Sequence, residues 1–295
     1  MSCVVASLYK FVRLVDYREL RDPLLRLCLD RELLGTLLLA EEGINGTVAG
    51  SRAAVDALLQ WLRADARLAD IRPRETRHAQ PPFARMKVRL KREIVTMGVA
   101  GVSPAQRAGR YVAPADWNAL IDDPGVTVID TRNDYECAIG SFRGALDPQL
   151  DSFREFPAWA RENLDPAANS PVAMFCTGGI RCEKASAWLL GQGFAEVFHL
   201  RGGILAYLDE VPASDSRWHG ECFVFDERVA VREGLAPGSH VMCHGCGRPV
   251  SPEQRRSPLF SEGISCHRCH GDLDARRLAC LRERRRQPAR SRGAA

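Results

Sequence analysis

"VAMFCTGGIRCEKASAWLL", residues 172–190, sets an apolar run against a glycine-bearing turn, with a cysteine at the junction. Val172 to Phe175 have the length and composition of an inner strand, and Glu183 to Leu190 read as a helix with Ala185, Trp188 and Leu189 on one apolar face. Cys176 to Arg181 must then turn a strand into a helix, and Gly178 and Gly179 supply the backbone freedom such a turn needs. A turn of this kind gathers N–H groups at the positive end of the following helix. A thiol held there has its thiolate stabilised, and a lowered pKa makes a nucleophile. The alternative is an inert core cysteine; the glycine turn and the helix start favour chemistry.

Outward from this stretch, strands at "VTVIDTR", "VAMF" and "EVFHL" alternate with helices at "PADWNALIDD", "SFREFPAWAREN", "EKASAWLLGQG" and "GGILAYLDE". That alternation predicts an open parallel sheet with helices on both faces, whose site lies beyond the carboxyl ends of the strands. Cys176 stands at one such end, Asp130 and Arg132 at a second, and "LRGG" at a third.

Residues 1–97 alternate differently. Strands at "VVASLYKFV", "TLLLA" and "GTVAG" and a last one at "RMKVRLKREIV" surround helices at "DYRELRDPLLRLCLDREL" and, after a capping Ser51, "RAAVDALLQWLRAD". The order βαββαβ is the ferredoxin-like arrangement. In the last strand Met86, Val88 and Leu90 alternate with Arg85, Lys87 and Arg89, so period two turns a basic row away from the core. Residues 71–92 carry eight basic groups against Glu75, which makes a phosphate-contacting face or a solvated one.

Residues 98–113 read as a linker, 114–217 as the second domain, and 218–275 as a C-terminal segment. That segment contains Cys243-x-x-Cys246 and Cys266-x-x-Cys269, separated by nineteen residues, the spacing of a four-cysteine structural zinc site. From residue 276 to 295, eight arginines with little to pack predict a flexible basic tail.

The 295 residues, 45% hydrophobic and 26% charged, have a soluble globular composition. Lys10 and Arg13 interrupt any signal core, and the run "LLGTLLLA" is too short for a membrane span. The expectation is a cytoplasmic protein without membrane attachment, whose eleven cysteines serve thiol chemistry or metal binding rather than disulfides. Net charge is +4, unevenly spread: +5 over residues 1–100, −8 over 101–240 and +7 over 241–295. Basic ends suit a polyanion such as nucleic acid.

"DTRNDYE", "GSFRGA", the cysteine loop and "HLRGG" together resemble a rhodanese. The resemblance implies that Cys176 accepts a sulfane sulfur as a persulfide, cradled by the amides of Thr177, Gly178, Gly179, Ile180 and Arg181. Related phosphatases place Arg sixth after the cysteine, where this chain has Cys182. With "LLLAEEGINGTVAG", "MKVRLKREIVTMG" and "GECFVFDERVAV", the chain resembles the rhodanese-domain tRNA uridine hydroxylases. That likeness implies oxygen-dependent conversion of the wobble uridine to 5-hydroxyuridine, tRNA as partner and molecular oxygen as co-substrate, with no electron donor indicated. On this reading Cys176 is the essential thiol and Arg181 steadies anions at the loop mouth. Asp130 and Arg132 support the loop, Cys182 either resolves an oxidised Cys176 or packs, and Arg85, Lys87 and Arg89 contact tRNA. The competing reading is a sulfurtransferase that moves sulfane sulfur through a Cys176 persulfide; a third is a non-catalytic RNA-binding module.

Overall fold

A computed structural model describes residues 3–286. Its first unit contains β1 (Cys3–Phe11), α1 (Tyr17–Asp30), β2 (Leu34–Ala40), β3 (Gly43–Gly50), α2 (Arg52–Arg63), β4 (Arg74–His78) and β5 (Met86–Leu90) in one five-stranded sheet of order β4-β1-β3-β2-β5. The Ser51 side chain accepts from the Ala54 N–H and starts α2, whose Val55, Leu58, Leu59 and Leu62 are buried. Leu24 and Cys28 of α1 share that core with Leu37, Leu39 and Val88. Gly43, at φ 141°, is obligatory, because a Cβ there would lie 2.0 Å from the Lys10 carbonyl oxygen.

The ferredoxin-like order holds, with one correction. Its last strand is β4, antiparallel to β1, whereas β5 is a fifth strand added parallel to β2 at the opposite edge. The residues of β4, "RETRH", alternate between half-buried and exposed on a sheet edge and so lack the apolar signal of an inner strand.

The second unit runs β6 (Arg110–Val112), α3 (Pro114–Ile121), β7 (Thr127–Asp130), α4 (Asp134–Cys137), β8 (Gly140–Phe142), α5 (Phe156–Asn163), β9 (Val172–Phe175), α6 (Ile180–Gly191), β10 (Val197–Leu200) and α7 (Gly203–Glu210). Strands β6-β10-β9-β7 form a wholly parallel sheet. Along β9, Val172 and Met174 enter one core while Ala173 and Phe175 enter the other, which is why the strand reads as an unbroken apolar run. The expected linker, 98–113, thus ends in a strand of this sheet.

Beyond it lie β11 (Trp218–Gly220), β12 (Cys222–Phe223), β13 (Ala230–Val231), β14 (Val241–Met242), β15 (Pro249–Val250) and α8 (Ala275–Arg286). Strand β11 pairs with β8, and Trp218, Cys222, Val224 and Val231 complete the core under α7. The start of the 218–275 segment therefore packs as part of the second unit. A separate small core forms around three of the four knuckle cysteines, Cys243, Cys266 and Cys269, with Val250, Val241, Phe260 and Leu273. The expectation of a flexible tail from 276 is corrected as far as Arg286: α8 occupies this stretch, with Leu281 buried and Arg277 donating to the His244 carbonyl. The rest of that tail, 287–295, lies outside the described residues.

Candidate active site

Three strand ends meet where β9 stops. Helix α6 begins at Ile180, three residues before the apolar periodicity suggested, so Arg181 and Cys182 lie in its first turn with their N–H groups toward the loop. Gly179, in the left-handed region at φ 98°, makes this sharp entry possible and donates its N–H to Cys176 Sγ at 3.2 Å. A Cβ on Gly179 would stand 2.9 Å from the Tyr9 hydroxyl. From the third strand end, the N–H groups of Ile204 and Leu205 in α7 donate to the Cys176 and Thr177 carbonyls at 2.9 and 3.1 Å. The thiol loop is thus held by two helix starts.

Cys176 is fully buried. Burial opposes its thiolate, but the Cys182 thiol, the Arg181 guanidinium and the N–H groups of Cys182 and Arg181 outweigh that cost and lower its pKa from 9.0 to about 6. Cys182 moves the opposite way, pushed up by burial and by the neighbouring thiolate, while its sulfur lies 3.3 Å from Thr131 Oγ1. Burial likewise pushes Cys28 up to about 12. Among these three thiols, only Cys176 is primed.

Arg181 is held from behind by Glu136, with Nη1 at 2.6 Å and Nη2 at 2.8 Å from the two carboxylate oxygens, both residues being buried. Thr177 Oγ1 donates to the same carboxylate at 3.3 Å. Asp130 and Arg132 form a second buried ion pair at 2.6 Å; Arg132 also donates to the Glu136 and Gly140 carbonyls. Asp130 and Arg132 therefore brace the β7–β8 connection that carries Glu136 and reach the thiol loop through that residue. Glu136 was not among the predicted site residues, although it closes the quoted "DTRNDYE".

The residues after Arg181 reach the first unit. Glu183 accepts hydrogen bonds from the hydroxyls of Tyr9, on β1, and Tyr111, on β6, and burial raises its pKa. Lys184, 1% exposed, donates to Glu42 at 2.7 Å, to Glu93 at 2.6 Å and to the Val95 carbonyl at 3.0 Å. Glu42 belongs to "EEGING", so that hairpin meets the helix that carries the thiol turn.

Above the loop lies a cleft of about 2740 Å³, lined by Cys176, Thr177, Gly178, Ile180 and Arg181 at its floor. Its walls include Lys10, Arg72 and Lys87 from the first unit, Arg201 beside α7, Phe225, and Arg284 and Arg285 of α8. Of the predicted basic row, Lys87 lines the cleft while Arg85 and Arg89 are exposed and do not. The three lie close enough that, after burial, the charges of Arg85 and Arg89 hold the Lys87 pKa down.

Cys243, Cys246, Cys266 and Cys269 converge apart from this floor, with all four sulfurs within 4.8 Å of one another. Three of the separations are 3.7, 3.7 and 4.0 Å. A tetrahedral ion with metal–sulfur bonds of about 2.3 Å has sulfur–sulfur edges of about 3.8 Å. This set can bind a metal ion.

Residues 3–94 match the family described as the UPF0176 acylphosphatase like domain, and residues 113–210 match the rhodanese-like domain. Over 283 residues the chain is 56% identical to the tRNA uridine(34) hydroxylase of Brucella anthropi, an alignment that covers 96% of this chain and 93% of that protein. Among solved structures, the chain is similar to a rhodanese-like domain from Anabaena (19% identity, TM-score 0.32, 37% of this chain and 78% of that one). It is also similar to an acylphosphatase from Coxiella burnetii (17% identity, TM-score 0.24, 30% of this chain and 92% of that one).

Proposed function

The chain belongs to the tRNA uridine(34) hydroxylase family, and from that membership we propose that it converts the wobble uridine of tRNA to 5-hydroxyuridine, with molecular oxygen as co-substrate and Cys176 as the essential thiolate. One observation carries the reading beyond family membership: a thiol lowered to about 6 forms the floor of a cleft of about 2740 Å³ that both flanking segments wall with basic residues. Pockets for small molecules measure roughly 300–1,000 Å³. A sulfurtransferase acting on thiosulfate has no use for the larger space, whereas an RNA loop fills it and is drawn in by Lys87, Arg201, Arg284 and Arg285.

Arg181, fixed by Glu136, keeps positive charge beside the thiolate and near the mouth of the loop. Its carboxylate partner makes it a fixed electrostatic element rather than a free anion clamp. Placing one oxygen atom of O2 on C5 consumes two electrons and two protons and releases one water, so turnover draws on a two-electron donor. Among the described residues no helix is long and apolar enough to cross a membrane, and a tRNA substrate sets the work in the cytoplasm.

The four knuckle cysteines suit zinc in a closed structural site: four thiolates fill the tetrahedron and leave no open position for chemistry. Such an ion would hold the segment beside which α8 packs, and α8 supplies Arg284 and Arg285 to the cleft.

Nucleoside mass spectrometry of tRNA tests the assignment. Cells carrying the gene should contain 5-hydroxyuridine or its derivatives, and cells lacking it, or carrying Cys176→Ser, should not. Growth under 18O2 should label the new hydroxyl. Equal 5-hydroxyuridine with and without the gene would turn the assignment to the sulfurtransferase, and label from water instead of O2 would remove the oxygen dependence.

A further inference from the structure

Among the described Phe, Tyr and Trp side chains, Phe225 and Tyr111 are the most exposed, at 64% and 44%, and both line the cleft above Cys176. A single exposed ring is ordinary on a protein surface; what sets these two apart is that both line the cleft above the thiol. Phe225 packs against Phe223 at 5.1 Å and 84°, and Tyr135 meets Phe223 in turn at 5.2 Å and 82°. Strand β12 reaches the thiol loop, with the Phe223 carbonyl oxygen 3.5 Å from Thr177 Oγ1. The guanidinium carbon of Arg181, whose charge favours the Cys176 thiolate, lies 5.9 Å from the centre of the Phe225 ring. The ring thus stands two residues from a contact with the loop, beside the thiolate's own cation.

A rigid aromatic among basic groups is how proteins hold single-stranded nucleic acid: the charges track phosphates and the ring takes a base. A base to be modified must also leave its stack to reach an enzyme group. Given the hydroxylase reading above, on which this step rests, we propose that Phe225 is the stacking platform for the unstacked wobble uracil, a positioning residue that holds the ring over the thiol loop. Phe225 is the second phenylalanine of "GECFVFDERVAV".

The test compares Phe225→Ala, Phe225→Leu and Phe225→Trp in the full chain, with two readouts. The first is kcat/KM for tRNA hydroxylation. Loss of one base–aromatic stack predicts a fall of roughly five- to a hundredfold for Ala and for Leu, with Trp close to the parent. The second is emission from an anticodon stem–loop carrying 2-aminopurine at the wobble position, at saturating protein. Emission should be lowest with Trp, intermediate with the parent, and highest with Ala and Leu. The emission arm needs no turnover, so a parent protein without hydroxylase activity would refute the functional reading while still deciding the stack. Phe225→Ala within twofold of the parent in both readouts would overturn the proposal. Leu performing as well as Trp would also overturn it, since that needs only apolar packing. A shifted pH profile of Cys176 alkylation in Phe225→Ala would assign the ring to Arg181 instead, and would overturn it too.

Discussion

Replacing Lys184 by Met removes a cation and keeps most of its length. In the folded chain the three ammonium protons serve two carboxylates and a carbonyl, all contributed from outside the sheet that carries α6. Lys184 is 1% exposed, and the side chains of Glu42 and Glu93 are 22% and 19% exposed. Breaking a buried pair from one side costs about 3–5 kcal/mol, because the remaining charge stays buried without its partner. Here two carboxylates are left facing each other, but each keeps a backbone donor: Ile94 N–H on Glu42 at 2.6 Å, and Met97 N–H on Glu93 at 3.0 Å. Their residual solvent access also softens the loss, so the lower end, about 3 kcal/mol, is expected. Urea unfolding followed by tryptophan fluorescence at pH 7 measures it. The pH dependence has a definite sign. Burial alone would raise the Glu93 pKa, yet Lys184 and the backbone donors bring it below its ordinary 4.5. Its contribution is then fully present above pH 4.5 and fades as pH falls through the lowered value, so parent and Lys184→Met should converge in acid. Adding Glu42→Gln and Glu93→Gln to Lys184→Met removes the stranded charges and should recover most of the loss. A single variant within 1 kcal/mol of the parent, or a triple variant no better than the single, would refute the reasoning.

Three further outcomes are expected. Thiolate absorbance near 240 nm, taken as the difference between the parent and Cys176→Ser, should titrate near pH 6, making Cys176 about 90% thiolate at pH 7 against about 1% for a thiol at 9; a midpoint above 8 would contradict the loop electrostatics. Protein purified under reducing conditions should carry one zinc per chain, and chelation should loosen the knuckle core while the parallel sheet stays folded, as circular dichroism and metal analysis can check. Arg85→Ala/Lys87→Ala/Arg89→Ala should fold normally, because these side chains leave from the face opposite Val88, and should bind tRNA with a salt slope shallower by about one unit per lost phosphate contact. Parental affinity and slope in that variant would make the row mere solvated surface.

The strand, the glycine turn and the helix around Cys176 were legible because they are contiguous and because their apolar periods differ. The four cysteines were legible because their spacing alone constrains them. What escaped was non-local or too polar to carry a period. Tyr9 and Glu183 are 174 positions apart, and Glu93 and Lys184 are 91 apart, so no local pattern announces either contact. Residues 181–184 are all buried and three of them are charged in sequence terms, which breaks the apolar pattern and hid the first turn of α6. Strand β4 and helix α8 escaped for the opposite reason: one sits at a sheet edge and the other buries only Leu281, so neither needs an apolar stripe.

That first turn of α6 has a consequence for how the site is held. Its consecutive side chains go to different places: Arg181 to Glu136 on the β7 side, Cys182 to Thr131 and the thiolate, Glu183 to Tyr9 and Tyr111, and Lys184 to Glu42 and Glu93. A helix fixed so densely at one end cannot shift without breaking a buried polar contact, and each unmet group costs on the order of 1–3 kcal/mol or more. The helix that lends its N–H groups to Cys176 is therefore the same element that docks the first unit and sets one wall of the cleft. Thiolate stabilisation and cleft shape are then not independent properties. A change at the β2–β3 hairpin, far from Cys176 in the sequence, reaches the thiol through Glu42 and Lys184, and this gives "EEGING" a structural role.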